Sequence, residues 1–223
     1  MSSALRRLGW WAQDYVYAGV RQLAAVVDGA DAADLGRGTG SPVLLLPGVY
    51  ESWRFLHPLA RVLHADGHPV HVIEPLRHNR HPVTDSAEQV SAYLSAQDLT
   101  DVTIVAHSKG GLIGKEVMLG TAGHRIRAMV AIATPFGGSR YARYLVGRSL
   151  RIFSPRDATI LRLTRETTVN ERIVSVYGVF DPHIPEGSVL PGARNVQIPT
   201  GGHFRILAHP QVQAEIERVL HAG

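Results

Sequence analysis

Apolar positions along this chain follow two periods. Short β-branched or leucine-rich runs at Val43–Leu46, Val70–Ile73, Val102–Val105, Ile126–Ala133, Ile173–Val179 and Val196–Ile198 predict buried strands. Between them apolar residues recur at helical spacing. Phe55, Leu59, Val62 and Leu63 mark a helix over 55–65, and Val83, Ala87, Val90 and Leu94 mark one over 84–97. Leu112, Ile113, Val117 and Met118 mark a third, and Val212–Leu220 a closing helix. Strands alternating with helices predict a mostly parallel sheet wound on both faces. No internal repeat, low-complexity run or second-domain boundary interrupts that alternation.

Residues 1–27 stand apart as an amphipathic helix rich in aromatics, with Trp10, Trp11, Tyr15 and Tyr17. Arg6 and Arg7 ahead of it resemble the start of a signal peptide. Only six uncharged residues separate Arg7 from Asp14, however, short of the ~7–15 of an apolar signal core. Asp14 and Arg21 likewise break the ~20-residue run that a membrane span needs. The expectation is a cytoplasmic chain whose first helix packs on the main domain. A peripheral membrane contact, with Trp, Tyr and Arg at the lipid interface, is the second reading. Asp28–Gly40, rich in Asp, Ala and Gly, reads as a linker. The chain thus divides into residues 1–40 and a domain over 41–223.

Composition narrows the chemistry. The 223 residues suffice for one α/β domain, and the absence of cysteine removes disulfides, thiolate catalysis and cysteine zinc sites. The net charge of +4 is outweighed locally: seven arginines face only Asp157 and Glu166 between Ser139 and Glu166. A solvated helical face explains them, and attraction to an anionic surface is the sharper alternative. No nucleic-acid motif accompanies them, so nucleic acid is not expected as a partner. His71, His78 and His81 form a loose group without helical i, i+4 pairing or a carboxylate pattern, and no metal or cofactor is expected.

The chemistry centres on V-T-I-V-A-H-S-K-G-G-L-I-G, residues 102–114. Ser108 sits between a predicted strand and helix, with Ala106 two positions before it and Gly110 two after. That is the nucleophile-elbow pattern: a strained turn leaves room only for small flanking residues, and the following helix N-terminus favours a developing oxyanion. A serine hydroxyl needs a general base oriented by a carboxylate, in the chain order Ser, acid, His. Asp181, just after its strand, and His203, in T-G-G-H-F, stand where that order requires them. Gly201 and Gly202 would let the loop bend so that His203 reaches Ser108. His107, inside the elbow, would face away from the Ser108 proton. The oxyanion needs two backbone donors: the amide of Lys109, and one from the turn L-L-P-G-V-Y, where Val49 is preferred and Tyr50 is next.

The segments L-L-L-P-G-V-Y, V-A-H-S-K-G-G-L, A-T-P-F-G-G-S and G-V-F-D-P-H-I-P-E-G-S together resemble the α/β-hydrolase superfamily over residues 41–221. More narrowly they are similar to its bacterial lipases and esterases. The resemblance implies the α/β-hydrolase fold, a sheet of about six strands with a small helical cap inserted over about 136–171. It implies nucleophile Ser108, acid Asp181, base His203, amides near Val49 and Lys109, and a small-molecule ester as substrate. Ala106 replaces the usual first glycine, and Lys109 stands where such enzymes carry an apolar residue or glutamine. A lysine there would repel an acyl chain or attract an anionic head group. Tyr50, His107, Phe136, Tyr141, Tyr144 and Leu145 are the expected substrate contacts. Thioesterase, amidase or acyl-transfer chemistry on the same three residues, or a non-catalytic binding module, remain open, as does oligomeric state.

Overall fold

The computed structural model describes residues 3–144 and 147–222. Six strands form one all-parallel sheet: β1 (Val43–Leu46), β2 (Val70–Val72), β3 (Val102–His107), β4 (Ile126–Ile132), β5 (Ile173–Phe180) and β6 (Arg194–Gly201), in the order β2-β1-β3-β4-β5-β6. Side chains alternate across it and so feed two cores. Leu44, Leu46, Ile104, Ala106 and Met129 pack on the face covered by α3 (Val83–Ala96) and α4 (Lys109–Leu119). Val43, Leu45, Val105, Val130 and Val176 pack on the face covered by α2 (His57–Ala65) and α7 (Pro210–His221).

The expected elements are present, with differences at their ends. The helix expected from Phe55 begins as a 3₁₀ turn over Trp53–Leu56 before α2. β6 is longer than its apolar run suggested, because an edge strand alternates exposed and buried residues and so carries little hydrophobic signal. The insertion after β4 holds a 3₁₀ turn (Arg140–Tyr144), α5 (Arg148–Arg151) and α6 (Ala158–Arg165). Asp157 caps α6 by accepting the Thr159 N–H at 2.9 Å.

Residues 3–27 form one helix, α1, lying on the carboxyl-end side of the sheet against β6 and the turn before α2. No helix among the described residues is long and apolar enough to cross a membrane. Residues 28–40, expected as a linker, dock on the domain: Arg54 donates to the Asp28 and Ala30 carbonyls, His57 pairs with the Asp28 carboxylate, and Leu35 is buried.

Candidate active site

The order of the sheet positions the site. From β1 the chain passes outward to β2 on one side, while β3 lies on the other, so a crevice opens beyond the carboxyl ends of β1 and β3. Every residue of interest lies at that edge. Register holds the strand ends level, with Leu46 opposite Ala106, His107 opposite Ile132, and Phe180 opposite Gly201.

Ser108 takes φ 52° and ψ −118°, a left-handed conformation that costs an L-residue about 1–3 kcal/mol. The surroundings enforce it. The Ser108 N–H donates to the Ile132 carbonyl at 2.8 Å, and α4 begins at the next residue. A Cβ on Gly110 would lie 2.2 Å from the Leu46 carbonyl oxygen, which is why the second position after the serine must be glycine. The turn lifts the Ser108 hydroxyl toward His203, whose Nε2 lies 2.9 Å from Oγ. His203 Nδ1 lies 2.7 Å from Asp181 Oδ2. Asp181 Oδ1 accepts the backbone N–H of His183 at 2.7 Å and of Ile184 at 3.0 Å. The structure therefore brings together the three residues that the sequence offered as nucleophile, base and acid.

Electrostatics sharpen the arrangement. Burial alone would raise the Asp181 carboxyl, but His203 and the His183 N–H together hold it below the usual carboxylate range. Burial alone would lower the His203 imidazole, yet the Asp181 charge and hydrogen bond hold it above its ordinary 6.5. His183, 4.8 Å from His203 ring to ring, is pushed down to about 4 by burial and by His203, so it is neutral at pH 7.

The turn after β1 supplies the facing wall. Gly48 donates to Glu51 Oε2 at 2.7 Å and Tyr50 donates to the His78 carbonyl at 2.7 Å. That commits the Tyr50 amide elsewhere and removes it as an oxyanion donor. Among the described residues, the Val49 N–H makes no hydrogen bond, and the Lys109 N–H, at the first position of α4, has no preceding helical carbonyl to bond.

Behind Ser108 and beside these turns lies a cavity of about 650 Å³ with an apolar wall. Tyr50 and Tyr141 line it with Val49, Leu150, Phe153 and Ile184. Three expected contacts are not there. His107 is wholly buried beneath the site, bonded to Glu51 and to the His203 carbonyl, because the β3 pleat turns it away from Ser108. Phe136 is buried in the α3–α4 core, and Tyr144 is 68% exposed with Arg143 stacked on its ring. Leu145 lies outside the described residues.

Lys109 also departs from expectation. Its side chain is fully buried and runs away from the cavity, and Nζ donates to Asn79 O, Asn79 Oδ1 and His81 O. It is not part of the cavity wall. Burial lowers its ammonium to about 8.

Residues outside the sequence-based set complete the surroundings. Glu51 ties the turn after β1 to His107. From α1, Tyr15, Ala18, Gly19 and Gln22 form one wall of the cavity, with Tyr15 Oη 2.8 Å from His183 Nε2. The signal for this wall was a lone acid, Asp14, within an aromatic helix, which read as a break in an apolar run. Among the described residues, one group of side chains could converge on a metal ion: Asp181, His183 and His203, with ligand atoms within 4.8 Å. Two of those atoms already bond each other. His71 Nδ1 instead lies 3.1 Å from Tyr93 Oη.

Solved structures with this architecture are numerous. The lipase BlEst2 of Bacillus licheniformis superposes with a TM-score of 0.60 at 18% identity, over 83% of this chain and 92% of that one. A monoacylglycerol lipase of Paleococcus ferrophilus gives 0.59 at 15% identity, over 81% and 96%. This chain has the α/β-hydrolase fold. Within that fold, a hydrolase of Oleispira antarctica gives 0.57 at 17% identity, over 86% and 98%. No family model matches the sequence, and no curated protein sequence matches it. In α/β-hydrolase folds the nucleophile occupies the turn after a central strand, which is where Ser108 stands here.

Proposed function

We propose that this protein is a serine hydrolase of carboxylic esters with an apolar acyl group. The observation that carries the reading is the unbroken chain of contacts from Ser108 through His203 to Asp181, on a strained elbow beside an apolar cavity. His203 Nε2 takes the Ser108 proton as Oγ attacks the ester carbonyl. The N–H groups of Val49 and Lys109 stabilise the oxyanion of the tetrahedral intermediate. The imidazolium then gives its proton to the departing alcohol, which leaves Ser108 acylated. Water attacks the acyl group, losing a proton to His203, and the second tetrahedral intermediate collapses to the acid as His203 returns that proton to Ser108 Oγ. Asp181 holds the imidazole in the required tautomer and balances its positive charge. The cycle needs no cofactor.

Hydrolysis of p-nitrophenyl esters from acetate to palmitate tests this, wild type beside Ser108→Ala, with parallel thioester and amide substrates. Turnover that disappears in the variant supports the reading, and the preferred substrate sorts ester, thioester and amide chemistry. Wild type that neither turns over nor takes a fluorophosphonate label on Ser108 would refute it.

The outer face of α1 supports a lipid surface as the place where substrate is met. Leu8, Val16, Val20, Leu23, Val26 and Val27 are exposed along it, beside the residues of α1 that wall the cavity. Arg6 and Arg7 on the same helix, and Arg143 and Arg151 of the insertion, are exposed and suit anionic lipid. Co-sedimentation with anionic vesicles should be lost in Leu23→Glu/Val27→Glu, while hydrolysis of a short soluble ester persists. Equal binding by both proteins refutes lipid docking, and a dimer that dissociates in the variant assigns the face to a second copy of the chain.

A further inference from the structure

The base His203 is held from a direction that the serine–histidine–acid chain does not account for. Asp14, on α1 and 189 positions earlier in the chain, is fully buried. Its Oδ2 accepts the backbone N–H of His203 at 2.9 Å, and its Oδ1 accepts those of Phe204 and Arg205, each at 2.8 Å. Three successive amides thus converge on one carboxylate, as they would on an anion held in a backbone nest. Charge-assisted bonds of this kind are about twice as strong as neutral ones.

The surrounding residues are fitted to that contact. Gly202 sits at φ 121°, and a Cβ there would lie 2.6 Å from Asp14 Oδ1. Gly201 has an ordinary backbone, yet its Cβ would lie 2.4 Å from the Trp10 ring. The two glycines ahead of the base therefore admit α1 as well as bending the loop. Tyr15, the next residue of the helix, reaches His183 in the loop that carries Asp181. One helix grips both loops that present the partners of Ser108.

We propose that Asp14 is a positioning residue for His203: its carboxylate fixes the 203–205 turn so that Nε2 meets Ser108, and it adds a negative charge behind the imidazolium that forms in the reaction. This inference rests on the ester-hydrolase reading above. The charge acts on His203 in the same sense as that of Asp181, by favouring its protonated form. The titratable groups that face the imidazole are Asp14 from α1, Glu51 from the turn after β1, His107 at the end of β3, and Asp181 and His183 after β5, while Tyr15 of α1 reaches His183. Asp14→Asn removes one negative charge from that set and turns an amide N–H toward a backbone N–H.

The test is the pH dependence of p-nitrophenyl butyrate hydrolysis by wild type, Asp14→Asn and Asp28→Asn. Asp28 anchors the far end of α1 through His57 and touches nothing near His203, so it reports the cost of loosening the helix alone. We expect Asp14→Asn to lower kcat about 10-fold or more with KM within about 3-fold, and to move the acid limb of kcat/KM to lower pH. Asp28→Asn should keep both within about 2-fold. Wild-type kcat and an unmoved acid limb in Asp14→Asn would overturn the proposal, as would the same change in both variants. Should Asp14→Asn not fold, Asp14→Glu keeps the charge and displaces it by one methylene. A lowered kcat with the acid limb in place then supports positioning, and an unchanged kcat overturns it. Fluorophosphonate labelling of wild-type Ser108 keeps the two readings distinct: no label defeats the hydrolase, whereas label with an indifferent Asp14→Asn defeats only the role of Asp14.

Discussion

His107 joins Glu51 to the backbone of His203, its Nδ1 2.9 Å from the carboxylate and its Nε2 2.9 Å from the His203 carbonyl oxygen. The same carboxylate accepts the Gly48 N–H, so one buried acid steadies both the turn proposed to supply the oxyanion donor and the loop of His203. Glu51→Ala would leave the Gly48 N–H and the His107 ring without that partner. Each orphaned buried group costs about 1–3 kcal/mol. Urea denaturation should show a loss of about 2–6 kcal/mol for the two groups together, and kcat should fall more than KM rises.

The elevated His203 imidazole fixes the acid side of the pH profile. The base must be neutral to take the Ser108 proton, so activity should climb as pH rises through a value above the ordinary 6.5. Asp181→Asn removes the nearest negative charge and the tautomer-setting acceptor. Its limb should move to lower pH while kcat drops about 10³-fold or more. A pH–rate series on both proteins measures each effect separately.

Much of this site was legible in the sequence because each member sits where a strand stops. Ser108, Asp181 and His203 follow β-branched runs in the required order, and register alone then brings their turns to one edge. The elbow glycine was legible for the same reason, since Gly110 has no room for a Cβ. Side-chain direction was not. His107 and Lys109 flank Ser108, yet the pleat of β3 and the first turn of α4 send both away from the cavity. Phe136 and Tyr144 belong to an insertion whose apolar residues divide between core and solvent, a choice its short elements do not encode by periodicity. Asp14 was illegible for a different reason. Its partners are backbone amides far along the chain, and amides leave no mark in side-chain identity.

Ala142 bears on chain length. It is buried, and it lines the cavity with Leu150 and Phe153. Ala142→Phe would fill part of that volume, so kcat/KM for dodecanoate should fall at least about 10-fold relative to butyrate. A panel of p-nitrophenyl esters reads the ratio directly.

Lys115 offers a test of stability apart from the site. Its side chain is fully buried, and Nζ finds no hydrogen-bond acceptor among the described residues, only the Phe136 ring at 5.9 Å. Burial lowers its ammonium to about 8 from 10.5. The unfolded chain therefore binds the extra proton between those values, and the penalty is fully present below about 8 and disappears as pH rises toward 10.5. Lys115→Met should stabilise the fold at pH 7 by about 1–3 kcal/mol, with the gain shrinking at pH 10. Thermal melts at the two pH values check both size and trend.

The grip of α1 on the 203–205 turn also has a bearing on how the protein is made. α1 leaves the ribosome long before β6, so its aromatic face and the Asp14 carboxylate must wait for amides that are synthesised almost a whole chain later. Contacts of such long separation are slow to form, since the intervening loop must close first. A chain that has reached β4 can pair the Ser108 N–H with the Ile132 carbonyl, but it still lacks the 203–205 turn that brings His203 to Ser108. On the reading proposed above, hydrolytic capacity would arise only once α1 and the 203–205 turn have met, which would leave a growing chain inert toward esters.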